Sequence, residues 1–182
     1  VFLFSSPPSP KGKPIIILLI KISSAGPVFY KQKRLGQAGK ILEIVKFRTM
    51  RKDAEKGTGA VWATENDPRI TKIGKFLRKT RIDELPQIWN ILKGEMAFVG
   101  PRAERPEFHE ILQKNIPFYE ERYLIKPGLT GWAQINFHYS SSVKDAAEKL
   151  KYDLYYIKNR SLLLDLGIVL KTVRIALQQS GR

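Results

Sequence analysis

The stretch that most limits how this chain can fold runs from Ser142 to Gln178. Ser142, followed three residues on by Asp145, is a capping-box variant in which a side-chain oxygen takes up a free N–H at a helix start. Ala146, Ala147, Leu150, Leu154 and Ile157 then recur at helical spacing, which predicts a helix through Lys158 with those residues facing inward. A second segment, Ser161 to Gln178, is rich in Leu, Ile and Val and is broken by Asp165, Lys171 and Arg174. It is too interrupted to span a bilayer but suits an interfacial or tightly packed helix.

The rest of the chain adds a smaller β component. Val28 to Arg34 and Ile41 to Phe47 read as strands, and Gly36 to Gly39 supplies the turn of a β-hairpin. Lys46 and Arg48 alternate onto one face at its end, where they could grip a phosphate. Ile70 to Thr80 reads as a basic amphipathic helix with Ile73, Phe76 and Leu77 inward. Lys126 to Gly131 reads as a turn with free backbone donors suited to an anion. The expected fold class is therefore α+β and predominantly helical, with one small hairpin and amphipathic interfacial helices. Arg51 to Pro68 is polar and glycine-rich, a loop long enough to expect a functional role.

Composition narrows the chemistry. There is no cysteine among the 182 residues, so disulfides, thiolate nucleophiles and cysteine-bound zinc are excluded, and two histidines are too few for a multi-histidine metal site. The net charge of +15 calls for anionic partners: nucleic acid, an anionic membrane surface or a phosphorylated substrate. No zinc-finger or RNA-stacking motif accompanies the charge, so nucleic acid is not expected. The unbroken apolar run from Ile15 to Ile20 falls far short of the about 20 residues that cross a bilayer. It reads equally as a core element or as a segment dipping into one leaflet.

The chemistry gathers at Arg81 to Gly94, where Asp83 and Glu84 are adjacent. Leu85, Ile88, Trp89 and Leu92 follow at the spacing of one helix face, Asp83 stands where an N-cap belongs, and Gly94 is a C-terminal stop. Lys72, Lys75, Arg78, Lys79 and Arg81 precede the acids, so a carboxylate there is expected to stay ionised. By itself the pair is a capped helix with a solvated acid or a working dyad. In a dyad, one carboxylate attacks an electrophile and the other holds Mg2+ beside substrate phosphates.

Seven blocks, in order, resemble the bacterial sugar transferases, the monotopic polyprenol-phosphate phosphoglycosyl transferases. They are Gly26 to Phe29, Lys46 to Met50, Arg81 to Gln87, Asn90 to Met96, Phe98 to Arg102, Lys126 to Asn136 and Tyr152 to Asn159. The chain looks most like the catalytic domain of the exopolysaccharide-initiating members. That resemblance implies transfer of sugar-1-phosphate from a UDP-sugar to polyprenyl phosphate at the cytoplasmic face of the inner membrane, with release of UMP. Asp83 matches the family's nucleophile and Glu84 its partner, expected to bind Mg2+ or Mn2+. Lys46, Arg48, Arg78 and Arg102 match basic positions around the substrate phosphates. His138 stands where many small members carry an arginine and is either a phosphate contact or an ordinary loop histidine. A homodimer is also implied. Residues 1–22 are expected to form a shortened membrane-associated segment and residues 23–182 the catalytic domain. The alternative is a non-catalytic homologue serving as a scaffold at the membrane surface.

Overall fold

The computed structural model describes residues 14–57, 59, 61, 67–137 and 142–178. Helix α1 (Pro14–Ser23) leads into strands β1 (Phe29–Leu35) and β2 (Ile41–Phe47), the expected hairpin. The strands pair antiparallel, with Phe29 opposite Phe47 and Leu35 opposite Ile41. Helix α2 (Lys72–Lys79) starts at Thr71, whose side chain accepts from the Gly74 N–H. A 3-10 turn (Ile82–Gln87) runs directly into the short helix α3 (Ile88–Leu92). Strand β3 (Ala97–Val99), helix α4 (Pro106–Asn115), a further 3-10 turn (Tyr119–Tyr123) and strand β4 (Gly128–Thr130) follow. Helices α5 (Trp132–Asn136), α6 (Val143–Asn159) and α7 (Leu162–Leu177) complete the described chain.

The two long C-terminal helices form as their sequences dictate. Ser142 caps α6 by accepting from Asp145 N, and Ser161 caps α7 by accepting from Leu164 N. Ala146 and Leu150 are buried on α6 and join Leu112, Ile116, Tyr119 and Tyr123 in one apolar cluster, with Ala147 and Leu154 packed against it. Ile168 of α7 meets Tyr156, Val99 and Ile135 in a second cluster. The rest of α7 leaves a stripe of Leu162, Leu166, Leu170, Val173 and Leu177 exposed. Among the described residues no helix is long and apolar enough to cross a membrane. One face of α1 packs through Ile20 and Ile16 on Phe47 and Leu77, while Ile15, Leu18 and Ile22 point outward.

Three local expectations are corrected. Phe76 is 52% exposed; Leu77 and the half-buried Ile73 turn inward instead, on the side where Gly74 lies close against the Thr49 carbonyl. Lys126 to Gly131 is no open turn, since β4 pairs in parallel with β3 and Gly128 N donates to Pro101 O at 2.9 Å. Any side chain at Gly128 would collide with Gly100, its Cβ lying 2.1 Å from the Gly100 nitrogen, so the close approach needs glycine. The largest correction concerns Ile82–Leu92. Ile88 is 39% and Leu92 73% exposed, while Asp83, Glu84, Gln87 and Asn90 are buried. The polar face points inward because it meets the unpaired edge of β2. There Asn90 Nδ2 donates to Glu43 O at 2.8 Å, and Asn90 Oδ1 accepts from Val45 N at 3.3 Å. One amide side chain thus substitutes for a third strand, closing an edge that would otherwise be open.

Candidate active site

Asp83 does not cap a helix. The residue before the turn is Arg81, at φ 59° and ψ 10°, a left-handed conformation that side chains other than glycine seldom adopt. This kink ends the helical run of α2 and starts the next turn in a new direction. Asp83 and Glu84 follow Ile82 in its first turn and are 7% and 5% exposed.

The two carboxylates are held very differently. Glu84 Oε1 accepts from Lys46 Nζ at 2.9 Å and from Arg102 Nη2 at 2.6 Å, and Glu84 Oε2 lies 3.8 Å from Arg81 Nη1. Burial would raise the Glu84 pKa, but Arg102, Lys46 and Arg81 override it and hold the carboxyl well below the usual range. Asp83 receives no hydrogen bond of its own from the described residues. Burial and the neighbouring Glu84 charge push it up to about 6, against the opposing pull of Lys46, Arg78 and Arg102. The expectation that a carboxylate here is favoured in its charged form therefore agrees with the downward shift of Glu84, whereas Asp83 is shifted the other way. The same environment costs Lys46, whose ammonium falls to about 8 through burial, with Glu84 opposing the fall. Arg102 is raised, first by Glu84.

The other basic residues divide. Arg78 points its Nε at Thr49 Oγ1, 3.0 Å away, and its charge reaches Asp83. Arg48 does not join the cluster. It is buried and donates to Ser24 O at 2.6 Å and Ala25 O at 3.0 Å, tying the end of α1 to the hairpin. Lys46 and Arg48 therefore do not form one grip, since β2 ends at Phe47 and the chain turns there. His138 lies outside the described residues, as do residues 1–13 and part of the loop after Arg51. Of that loop, Glu55 is seen pairing with Arg105 at 2.9 Å. In the sequence Arg81 stands only as one of several charges preceding the acids. Its position three residues before Glu84 was the available sign of a pair.

Among the described residues no group of three or more His, Asp or Glu converges as a metal cage. A lone carboxylate pair is nonetheless the donor set that Mg2+ uses when it keeps its waters and shares substrate phosphates, and Mn2+ takes the same oxygen ligands. The cluster as a whole combines one uncommitted carboxylate, one committed carboxylate and several cations within reach. It can receive an anionic group beside a free nucleophile.

A family model described as bacterial sugar transferase matches residues 10–179. The chain belongs to the bacterial sugar transferase family. The transferase from Aeromonas hydrophila named UDP-N-acetylgalactosamine-undecaprenyl-phosphate N-acetylgalactosaminephosphotransferase is 45% identical over 164 residues, which are 90% of this chain and 38% of the relative. The UDP-glucose:undecaprenyl-phosphate glucose-1-phosphate transferase of Xanthomonas campestris pv. campestris is 43% identical over 165 residues, 89% of this chain and 34% of the relative. An exopolysaccharide production protein of Rhizobium leguminosarum bv. phaseoli is 39% identical over 163 residues, 87% of this chain and 82% of the relative. The chain thus spans little more than a third of the first two relatives and most of the third.

Proposed function

We propose that this chain transfers sugar-1-phosphate from a UDP-sugar to a polyprenyl phosphate, as the names of the Aeromonas and Xanthomonas relatives describe for undecaprenyl phosphate. The observation that carries the reading is the division of labour between adjacent carboxylates: Glu84 is fixed by Lys46 and Arg102, while Asp83 is buried beside it without a hydrogen bond from the described residues. In the first step an Asp83 carboxylate oxygen attacks the phosphorus that carries the sugar. The bond from that phosphorus to the UMP oxygen breaks, and UMP leaves with the electron pair. In the second step a polyprenyl phosphate oxygen attacks the same phosphorus, freeing the carboxylate and giving the diphospho-sugar lipid. Arg78 and Arg102, with Lys46, face the charge that develops on the transferred group. Glu84, together with substrate oxygens, would hold Mg2+, which would add to the neutralisation of the leaving phosphate.

The lipid acceptor places its phosphate at headgroup level, so the site belongs at the membrane boundary, on the cytoplasmic side that holds UDP-sugars. The outward apolar residues of α1 and α7 and the net positive charge support that placement. The test is intact-protein mass spectrometry with Mg2+ and either UDP-N-acetylgalactosamine or UDP-glucose. A sugar-phosphate adduct and equimolar UMP are expected, and Asp83→Asn abolishes both, a loss of at least about 10³-fold. Glu84→Gln slows the reaction and weakens its metal dependence. A folded protein that releases no UMP from any UDP-sugar ends the proposal, and an unimpaired Asp83→Asn ends the role of Asp83.

A further inference from the structure

The phosphotransfer reading uses the cluster around Glu84 but leaves unexplained a second set of buried charges behind it. Arg122 is 4% and Asp153 2% exposed, and their Nη2 and Oδ2 atoms lie 2.9 Å apart. Arg122 Nη1 also donates to Tyr119 Oη at 2.6 Å, and the Glu104 carboxylate stands 3.7 Å away. A buried ion pair of this kind is a poor way to gain stability, because desolvation consumes most of the attraction. What it does well is fix a group in place.

The group it fixes is the backbone of Arg102. Four successive carbonyls there are each taken by a donor from elsewhere in the chain. Pro101 O accepts from Gly128 N at 2.9 Å, Arg102 O from Arg122 Nη2 at 3.0 Å, Ala103 O from Arg34 Nη1 at 3.1 Å, and Glu104 O from Leu35 N at 2.8 Å. From that clamped stretch the Arg102 guanidinium reaches Glu84 at 2.6 Å. Two of the four clamps are arginine side chains beside carboxylates, Arg34 at 3.8 Å from Glu104 and Arg122 at 2.9 Å from Asp153, and it is Arg122 that takes the carbonyl of Arg102 itself. Asp153 lies on α6 within the Tyr152 to Asn159 block, a part of the sequence signature to which the proposed chemistry gives no task.

We infer that Arg122 and Asp153 are positioning residues for the sugar-phosphate transfer, holding the Arg102 carbonyl so that its guanidinium stays on Glu84 and faces the transferred phosphoryl group. This inference rests on the phosphotransfer reading. Asp153 touches neither carboxylate of the dyad. It acts through Arg122 and then through the Arg102 backbone, so α6 is tied to the site without contributing a group to it.

The test is Asp153→Asn, which keeps the shape and removes the charge. UMP release per adduct-forming site is expected to fall about 10- to 100-fold, as for other residues that orient a functional group from behind, with KM for the UDP-sugar changed by less than about 3-fold. In an Arg102→Ala background the same change should have almost no further effect, because the path runs through Arg102. An undiminished rate per site, or a full loss that persists without the Arg102 side chain, overturns the inference. Should Asp153→Asn fail to fold, Tyr119→Phe removes one partner of Arg122 while keeping the ring. It is expected to lower the rate about 3-fold by the same path, and to lose that effect with Arg102→Ala. A measurement independent of turnover separates the two claims. The Arg102 side-chain N–H signals, assigned by their disappearance in Arg102→Lys, should shift and exchange faster in Asp153→Asn. Absence of UMP from the native protein would sink the phosphotransfer reading, whereas unchanged Arg102 signals in Asp153→Asn or Tyr119→Phe would sink the positioning role.

Discussion

The Ile82–Leu92 segment and helix α6 carry the same kind of pattern, apolar residues at helical spacing between polar ones, and bury it in opposite senses. Helix α6 turns Ala146 and Leu150 into a cluster with Leu112 and Tyr119. The dyad segment turns Asp83, Glu84, Gln87 and Asn90 inward and leaves Leu92 outward. The difference lies in what each meets. Helix α6 faces apolar side chains. The dyad segment faces the open edge of β2 and the side chains of Lys46 and Arg102, which require acceptors and donors rather than methyl groups. A segment that defies its own amphipathic pattern has been arranged for something other than burying apolar area, and here that segment carries the dyad.

The sharpest way to break the comparison is to treat both segments as if they followed the ordinary rule. Leu150→Ala in α6 should cost about 2–5 kcal/mol in urea unfolding, through lost burial and the cavity left behind. Asn90→Leu places an apolar residue at an equally buried position, yet should also destabilise, by about 2–4 kcal/mol. It strips partners from Glu43 O and Val45 N and removes the 2.7 Å bond to Glu95 Oε2. A neutral or stabilising Asn90→Leu would mean that the inward polar face is not held by these bonds. Leu92→Ser is the complementary change. At 73% exposure its effect on folding should stay within about 0.5 kcal/mol. If the outward apolar residues meet lipid, flotation with phosphatidylglycerol vesicles should weaken about 5-fold, in line with partial burial of one leucine. Unchanged flotation would remove Leu92 from the membrane face.

Much of the fold was legible because its causes are local. Ser142 and Ser161 announce their helices through caps, and the hairpin follows from two extended segments around a glycine-bearing turn. The adjacency of Asp83 and Glu84 was equally plain. What could not be read depended on distant partners. The inverted face of Ile82–Leu92 is set by a strand edge far earlier in the chain, Asn90 reaching back 47 residues to Glu43 and 45 to Val45. The pairing of β3 with β4 rests on three-residue strands too short to carry an alternation signal. Arg48 was matched to the substrate but is spent on the backbone of Ser24 and Ala25, a contact that needs the position of α1. Asp153 did leave a trace: it sits three residues after Leu150, on the apolar stripe where a carboxylate does not belong without a partner.

That exception on α6 gives the smallest and most discriminating prediction. Two carboxyls flank Arg122 and are shifted in opposite directions. Glu104 sits below its ordinary value: burial raises it, but Lys149, Arg122 and Arg34 together win. Asp153 sits above its ordinary value, because burial outweighs Arg122 and Lys149. The linkage signs follow. A carboxyl depressed in the folded state binds fewer protons there than in the unfolded chain. Glu104 therefore adds stability that is fully present above its unfolded value and is lost as pH falls through its folded value. A raised carboxyl does the reverse, so the contribution of Asp153 is greatest below its unfolded value and is lost as pH rises through its folded one. Glu104→Gln should flatten the rise of stability with pH on the acid limb, and Asp153→Asn should steepen it. Urea midpoints measured from about pH 3 to pH 6, a range around the ordinary carboxyl values, would read the two slopes. Parallel slopes in the two variants would mean that Arg122 and its neighbours do not divide these carboxyls, and that the buried face of α6 follows the ordinary rule after all.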